Sequence, residues 1–185
     1  QPILSDWDSH NPPDILSRAL SRWHPRIAVV TSFQMAGMVL LDMCYQIRTD
    51  VRVITIDTGR LPSETYEMME RVRRHYGIQI EVLFPEAKQV ETLVRDHGVN
   101  LFYDSVEKRE LCCDARKVQP LDRALEGLDA WIVGLRRDQS PSRKQIRRVQ
   151  VDQRHGHITK LSPLADWTDQ QVSNYVRRNQ VPSHP

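Results

Sequence analysis

Hydrophobic residues occur along the chain in short runs rich in Val and Ile that alternate with longer amphipathic runs. The short runs are typical of buried strands, whereas apolar residues three or four positions apart are typical of helices. The pattern predicts strands at 26–32, 51–56, 78–85 and 130–134, helices at 12–23, 35–47, 62–77, 86–98, 116–128 and 167–179, and a hairpin at 146–164 that turns near Gly156.

Residues with strong local preferences agree with these boundaries. Asn11 precedes two prolines, an arrangement typical of a helix N-terminus. Gly77 and Gly98 follow amphipathic runs, where glycine commonly ends a helix. The last helix has two candidate N-caps, Thr168 and Asp166.

Strands that alternate with helices predict an α/β fold. The right-handed crossover rule then favours a doubly wound, mainly parallel sheet with helices on both faces. We expect one domain over residues 1–185, because the chain has the length of a single domain and shows no repeat or linker. Ligands of such sheets lie beyond the carboxyl ends of the strands, so the residues just after each strand are the candidate site residues.

Composition narrows the class of protein. With 39% hydrophobic and 27% charged residues the chain has the composition of a soluble globular protein. No apolar run approaches the roughly 20 residues of a membrane span, and the first residues lack a signal-peptide pattern. Basic and acidic side chains number 26 and 24, so any anion site must come from local clustering. The 3 cysteines argue against a disulfide framework and predict a reducing, cytoplasmic location.

Candidate binding residues follow three of the predicted strands. Hydroxyls and free backbone amides directly before a helix are typical of an anion site, and arginine binds sulfate or phosphate through two parallel hydrogen bonds. The candidates are Thr31, Ser32 and Phe33 after the first strand, Ile56, Asp57, Thr58 and Gly59 at the second, and Gly134, Arg136, Arg137 and Arg143 after the fourth.

Each of these segments also has an ordinary structural interpretation. Thr31 and Ser32 are typical N-cap residues, and the Asp-Thr-Gly segment at 57–59 is a common turn. The arginine-rich segment 136–148 is typical of a solvated loop or of nonspecific affinity for nucleic acids. Solvated loops need not fall at successive strand ends, so their joint position favours one anion-binding crevice.

Cys112 and Cys113 are adjacent within a charged segment, unlike Cys44, which lies in the apolar helix at 35–47. A disulfide between neighbours would be strained, because their Cα atoms lie only about 3.8 Å apart. Basic neighbours favour thiolates, as in a metal–sulfur centre. These neighbours are Arg109, Arg116 and Lys117.

A zinc or iron–sulfur centre takes four ligands, typically cysteines. Cys44 is the one other cysteine, and it belongs to a different element. His155 and His157 lie near the predicted hairpin turn, where exposed histidines are common, so they are weak candidates. The pair therefore either serves another purpose or takes its remaining ligands from residues beyond Pro185.

Five segments of the chain, taken together, resemble the assimilatory adenylyl-sulfate and phosphoadenylyl-sulfate reductases. They are "TSFQMAGMVLLDM", "ITIDTGRLPSETYE", "CCDARKVQPLDRAL", "AWIVGLRRDQSPSR" and "LSPLADWTDQQVSNYV". The resemblance implies an adenine-nucleotide-binding fold of the PP-loop, α-hydrolase-like type. The adjacent cysteines resemble the iron–sulfur branch, which typically accepts adenylyl sulfate; the other branch typically uses phosphoadenylyl sulfate without a cluster.

The resemblance implies that the protein converts adenylyl sulfate to sulfite and AMP in sulfate assimilation. A cysteine thiolate would attack the sulfate sulfur, and thioredoxin or glutaredoxin would release sulfite from the resulting thiosulfonate. Cys112 and Cys113 would supply two of the four ligands of a [4Fe-4S] cluster. Lys117, between cluster and substrate, and Arg143 would act in catalysis, and the other candidate residues would bind the nucleotide.

Two features depart from the family. Gln34 stands where members usually carry a glycine, and its longer side chain would change how closely the backbone approaches the substrate. The family's second cysteine pair, further substrate-binding arginines and nucleophilic cysteine lie downstream of the last residues here. We therefore expect the chain to lack a C-terminal segment that carries the nucleophile.

Two other functions fit part of the pattern. A PP-loop ATP-dependent sulfur-transferase or tRNA-modifying enzyme would need a glycine-rich serine loop, which "TSFQMAG" fits poorly. A noncatalytic nucleic-acid-binding module would use the arginines but leaves "DTGRLPSETYE" unexplained. For the reductase we expect no nucleic-acid or membrane partner; the sequence leaves the 3′-phosphate preference and a homo-oligomer open.

Overall fold

The computed structural model describes residues 6–184. The prediction about the first residues and the two ends of the expected domain fall on residues 1–5 and 185, outside this part. The strands are β1 (Ile27–Val30), β2 (Arg52–Ile56), β3 (Ile80–Leu83), β4 (Ala130–Val133), β5 (Val149–Asp152) and β6 (Ile158–Leu161). The helices are α1 (Pro12–Trp23), α2 (Met35–Ile47), α3 (Ser63–Tyr76), α4 (Ala87–His97), α5 (Val106–Cys113), α6 (Gln119–Leu125) and α7 (Asp169–Asn179).

The sheet confirms the predicted doubly wound topology. Within residues 6–184 it has 6 strands in the order β3-β2-β1-β4-β6-β5, and every neighbouring pair is parallel except the β5–β6 hairpin. The chain moves outward from β1 through β2 to β3 and then returns to the other side of β1 as β4. This reversal places the topological switch point at the carboxyl ends of β1 and β4, where doubly wound folds bind their ligands.

Helices cover both faces of the sheet. On one face α1, α2, α3 and α7 bury the larger core, which includes Leu16, Leu40 and Val72. On the other face α6 packs Ala124 and Leu125 against strand residues. Helix α4 buries no residue fully and contacts the turn at Asp114–Val118.

Local signals place the helix ends where the sequence predicts them. The Asn11 side chain accepts the backbone N–H of Asp14, and Gly77 ends α3 with a left-handed φ of 66°. Thr168, rather than Asp166, caps α7, because its hydroxyl accepts the N–H of Gln171 while the Gln171 side chain accepts the N–H of Thr168. No helix of residues 6–184 combines the length and apolarity that crossing a membrane requires.

The segment around the cysteines differs from the prediction. A helix was expected from residue 116, but α5 begins at Val106, where the Ser105 hydroxyl caps it by accepting the N–H of Lys108 (3.2 Å). A π-helical turn at Asp114–Val118 then continues into α6. The charged sequence of α5 has no apolar stripe, which is why periodicity did not reveal it.

Candidate active site

The loop after β1 holds a strained residue in front of a helix N-terminus. Phe33 has a left-handed φ of 61°, and its side chain is completely buried. The Thr31 hydroxyl, also buried, accepts the backbone N–H of Phe33 (2.9 Å). No side chain caps α2, so the amides of its first turn remain available to an anion, and Ser32 is exposed beside them.

Gln34 is compatible with this loop. Its backbone φ of −66° is ordinary for any residue, so the glycine of the family is not required there by conformation. The positive φ falls instead on Phe33, where burial of the ring compensates for the strain. The exposed side chain of Gln34 lies at the N-terminus of α2.

Two glycines bring β4 and α2 together at the switch point. A Cβ atom on Gly134 would lie 2.7 Å from the backbone nitrogen of Gly37 and 3.0 Å from the carbonyl carbon of Ala36. A Cβ on Gly37 would lie 2.3 Å from the hydroxyl oxygen of Thr31. The end of β4 therefore lies directly against the first turn of α2, and the loops after β1 and β4 border one crevice.

The turn after β2 is organised by Asp57. Its buried carboxylate accepts the backbone N–H of Gly59 (2.8 Å) and the Tyr66 hydroxyl (3.1 Å). The second bond raises the pKa of Tyr66, because the hydroxyl donates to a carboxylate. Gly59 has a φ of 70°, which glycine adopts without strain. The structure thus forms the predicted turn at 57–59, with Ile56 half-buried before it.

Arg116 joins the cysteine segment to this turn. Its side chain is 8% exposed, and it donates from Nη1 to the carbonyl oxygen of Thr58 (2.9 Å). Its Nε atom is buried without a hydrogen-bond partner. A buried cation with donors to spare favours negative charge nearby, whether on a thiolate or on a ligand.

The three cysteines occupy different environments. Cys44 is completely buried in α2, and burial raises the pKa of its thiol, which confirms a packing role. Cys112 is 8% exposed and Cys113 is exposed, both in the last turn of α5, and neither forms a disulfide. Lys117 is exposed in the π-helical turn that follows.

The arginine loop after β4 is internally paired. Arg136 is buried, and its guanidinium bonds to Asp138 (3.0 Å), to Asp169 and to the carbonyl oxygen of Trp167 (2.9 Å). Arg137 forms an ion pair with Asp166. The structure therefore brings both residues to the predicted strand end but gives their charges partners within the protein.

Arg143 is held differently from the other loop arginines. Its guanidinium donates to Oε1 of Gln139, and the same oxygen accepts the backbone N–H of Arg136 (3.1 Å). One amide side chain thus fixes both the loop backbone and Arg143. A neutral partner leaves the positive charge of Arg143 uncompensated.

His155 is not the exposed turn residue that the sequence indicated. Its side chain is 12% exposed, with Nδ1 lying 2.7 Å from Asp152 and Nε2 lying 2.9 Å from Asp122 of α6. Asp152 also accepts the indole N–H of Trp131 (3.1 Å). Sequence reasoning missed this cluster because Asp122 and Asp152 are 30 residues apart along the chain.

A cavity of about 630 Å³ is lined by residues on either side of the cysteine pair in the chain, Leu111 and Asp114, but not by the cysteines themselves. The cavity lies between α4, which contributes Leu93 and His97, and the segment of Leu111, Asp114 and Gln119. None of the strand-end candidates lines it. The cavity therefore shares no lining residue with the strand-end site or with the cysteine pair.

The donor set fits half of an iron–sulfur centre. A [4Fe-4S] cluster takes four sulfur ligands, and the described part of the chain brings two thiols together at the end of α5. Among residues 6–184 no group of three or more His, Cys, Asp and Glu side chains is arranged to hold a metal ion. The buried cation of Arg116, placed in the turn after the thiols, is suited to an anionic sulfur centre.

The fold is a PP-loop-like α/β fold, and the uncapped N-terminus of α2 lies at its switch point. The chain matches the family described as "Phosphoadenosine phosphosulfate reductase domain" over residues 26–185. It belongs to this family, as the resemblance implied.

Relatives agree with this assignment. The chain is 42% identical over 159 residues to the adenosine 5'-phosphosulfate reductase of Allochromatium vinosum, covering 86% of this chain and 62% of that protein. It is 39% identical to the chloroplastic 5'-adenylylsulfate reductase 3 of Arabidopsis thaliana, covering 95% of this chain and 39% of the plant protein. The crystal structure of phosphoadenylyl-sulfate reductase from Candida auris, a phosphate complex, superposes with a TM-score of 0.82 at 26% identity, covering 100% of this chain and 89% of the other. The chain thus spans less than two thirds of these two sequence relatives.

Proposed function

We propose that the chain is the nucleotide-binding part of a reductase that converts adenylyl sulfate to sulfite and AMP. The observation that carries the proposal is the contact of Gly134 with the first turn of α2, since it joins the loops after β1 and β4 into one crevice with free amides. Relatives named for this reaction support it. The adjacent cysteines favour adenylyl sulfate over its 3′-phosphorylated form.

Within this proposal each strand-end loop contacts a different part of the substrate. Thr31, Ser32 and Phe33 present the amides of α2 to the phosphosulfate group. The turn of Ile56, Asp57, Thr58 and Gly59 borders the nucleoside. Gly134 lets the backbone after β4 approach the first turn of α2, and Arg143 contacts the anion. Arg136 and Arg137 do not contact the substrate in this proposal; their ion pairs hold the loop in position.

The proposed reaction has two steps that balance without a further oxidant. A cysteine thiolate forms a bond to the sulfate sulfur while the sulfur–oxygen bond to AMP breaks, and AMP leaves with the electron pair. Thioredoxin or glutaredoxin then supplies two thiols, which become a disulfide as sulfite departs. Cys44 is too buried for the attack, and Cys112 and Cys113 have another role here, so the nucleophile comes from outside these three.

We propose that Cys112 and Cys113 hold a [4Fe-4S] cluster, with two sulfur ligands from outside the described residues. Such a cluster supplies an electron-rich, charged centre near the substrate. Arg116 and Lys117 provide positive charge between the thiols and the nucleotide turn. Three unpaired cysteines also agree with a reducing, cytoplasmic location.

The nucleic-acid alternative is less well supported. Ion pairs to Asp138, Asp166 and Asp169 neutralise Arg136 and Arg137, so the loop offers less free positive charge than its sequence indicated. A module that binds polyanions depends on such unpaired cations. The ion pairs of Arg136 and Arg137 instead hold the loop after β4 in one position.

A calorimetric titration tests the proposed substrate. We expect AMP and adenylyl sulfate to bind the chain in a one-to-one complex, and a 20-base-pair DNA duplex to give no saturable heat. Binding of the duplex without binding of either nucleotide would reject the reductase proposal. Gly134→Ala serves as the site variant, and Ser17→Ala, at an exposed position of α1, serves as its control.

The cluster proposal has its own test. Protein prepared without oxygen, together with the part of the reductase that carries further cysteines, should be brown with broad absorption near about 400 nm, as expected for thiolate-ligated iron. Cys113→Ser should remove that absorption. A colourless protein with one equivalent of zinc would contradict the proposal.

A further inference from the structure

The peptide unit between Thr58 and Gly59 is held at both of its polar ends. Its carbonyl oxygen accepts a hydrogen bond from Nη1 of Arg116 (2.9 Å), and its N–H donates to Oδ1 of Asp57 (2.8 Å). Asp57 belongs to the turn itself, whereas Arg116 lies 58 positions from Thr58 along the chain. Arg116 thus reaches the turn from another element and fixes the direction of this peptide unit.

This peptide unit needs a restraint because a glycine follows it. Gly59 has a φ of 70°, and glycine adopts positive and negative φ with similar ease. The peptide could otherwise flip, which would reverse the directions of its carbonyl and N–H groups. Without the Arg116 bond, the bond to Asp57 would be the remaining one that opposes the flip.

The guanidinium of Arg116 lies closely against the turn. A Cβ atom on Gly59 would lie 3.2 Å from Nη1 of Arg116, so the absence of a side chain lets the two groups approach. Arg116 is 8% exposed, and its Nε atom is buried without a hydrogen-bond partner among residues 6–184. Burying such a donor costs free energy, and an apolar side chain could fill the space without that cost. Packing alone therefore does not account for a guanidinium at this position.

We propose that Arg116 is a positioning residue, which holds the peptide between Thr58 and Gly59 in the orientation that binds the nucleoside of the substrate. That this turn borders the nucleoside rests on the proposed function. A flipped peptide would exchange a donor for an acceptor at the edge of the crevice, and a base or ribose that bonds to one would not bond to the other. Arg116 acts through the backbone and does not contact the ligand.

A direct contact between Arg116 and an anion is the competing role. A buried guanidinium with donors to spare would attract the sulfate end of the substrate. The two roles differ in the ligand that they affect, because adenosine contains the same nucleoside as adenylyl sulfate but carries no charge. Loss of a positioning residue weakens both ligands by the same factor, whereas loss of an anion contact weakens adenylyl sulfate alone.

Three variants separate these roles. Arg116→Met keeps an unbranched stem and removes the donors and the charge, whereas Arg116→Lys keeps a buried cation that can donate to Thr58. Arg26→Met is the matched control, because Arg26 also donates to a backbone carbonyl oxygen, that of Gly127 (3.0 Å), but lies before β1 at the opposite end of the sheet. Adenosine and adenylyl sulfate are titrated calorimetrically into each protein, and circular dichroism confirms that each variant is folded. Nuclear magnetic resonance measures hydrogen exchange of the Gly59 amide without ligand.

Arg116→Met should weaken adenosine and adenylyl sulfate by the same factor, at least about fivefold, and should speed exchange of the Gly59 amide. Arg116→Lys should show the same pattern with a smaller loss, which serves as the test if Arg116→Met does not fold. Arg26→Met should behave as the wild type.

Two results would overturn the inference and leave the proposed function standing. One is unchanged affinity for both ligands in Arg116→Met, and the other is a loss confined to adenylyl sulfate. If the wild type binds neither ligand, the proposed function fails, and the exchange rate of the Gly59 amide alone decides whether Arg116 restrains the turn.

Discussion

At the residue scale, the crevice depends on positions where a side chain is either absent or completely buried. Phe33 adopts a conformation that favours glycine, and its buried ring keeps it there. Gly134 and Gly37 have ordinary φ angles, yet the space beside each Cα is filled by a neighbour. The sequence shows these glycines and this phenylalanine, but it does not show whether backbone conformation or lack of space requires each one. That depends on the neighbouring atoms in the folded protein.

Gly134→Ala should destabilise the protein by about 1–3 kcal/mol, the usual cost of overpacking. The added methyl would meet backbone atoms of Gly37 and Ala36, which cannot rotate away as a side chain could. Urea denaturation followed by tryptophan fluorescence measures the effect, and nucleotide affinity should fall with it. An unchanged denaturation midpoint would show that the two elements separate readily.

The three thiols of the chain without a cluster should react with an alkylating reagent at different rates. A small alkylating reagent should modify Cys113 first because it is exposed, Cys112 more slowly because it is 8% exposed, and Cys44 only after unfolding. Burial also raises the pKa of Cys44, so little thiolate is present. Mass spectrometry of peptides over time gives the order, and early labelling of Cys44 would contradict the packing of α2.

At the element scale, the segment from α5 to α6 is held at two places. Arg116 bonds to the turn after β2, and Asp122 bonds through His155 to the β5–β6 hairpin. Arg116 lies within the π-helical turn at Asp114–Val118, which directly follows the two cysteines. Positioning of the thiols therefore depends on contacts with two distant elements.

Acid should weaken the contact between the hairpin and α6. Burial opposes ionisation of Asp152, but the His155 hydrogen bond, the charges of His155 and Lys160 and the Trp131 N–H outweigh it, so its pKa lies below the ordinary 3.8. The ionised Asp152 carboxylate therefore stabilises the folded state at pH values above 3.8, the ordinary pKa of this group in the unfolded chain. This stabilisation is lost as the pH falls from 3.8 through the lower pKa that the group has in the folded protein.

Asp152→Asn tests this dependence. As the pH falls from about 4 towards about 2, the variant should lose less stability than the wild type, because the ionised group is already absent. Urea denaturation at several pH values measures the difference. Asp129→Asn, at an exposed ion pair with Arg26, is the control and should follow the wild type. If the free energy of unfolding falls with pH equally in the wild type and in Asp152→Asn, Asp152 does not cause the acid sensitivity.

At the scale of the whole molecule, the sequence predicted most of the fold. Buried β-branched runs and capped amphipathic helices are local signals, and the strand predictions at 51–56 and 130–134 agree within a residue with β2 and β4. Helix α5 was missed because capping by Ser105 and packing, rather than an apolar stripe, stabilise it. The position of β6 between β4 and β5 required the three-dimensional structure.

The site was predictable at the level of segments rather than of contacts. The rule that ligands bind at strand ends located the loops after β1, β2 and β4. Which arginines keep free charge could not be read from the sequence, because Arg136 is neutralised by Asp169, 33 residues away. The sequence indicated Arg116 only as a basic neighbour of the cysteines, since its bond to Thr58 joins residues 58 positions apart.

The chain alone should bind nucleotide without turning it over. None of its three cysteines is proposed as the nucleophile, so mixing it with adenylyl sulfate and reduced thioredoxin should release no sulfite above the uncatalysed rate. A colorimetric sulfite assay measures this, with a relative that contains the further cysteines as the positive control. Steady turnover by the chain would place the nucleophile at Cys112 or Cys113 and reject their role as cluster ligands.

The bond from Arg116 to Thr58 couples the turn at 57–59 to the segment that carries the adjacent cysteines. An arginine guanidinium keeps its proton in proteins, so acid cannot break this bond as it weakens the one at the hairpin. A sulfinic or sulfonic group on Cys113 would add a negative charge about one helical turn before Arg116 and would compete with the Thr58 carbonyl oxygen for the guanidinium. Oxidative damage at the thiols would then loosen the turn at 57–59, although the thiols lie in a different element.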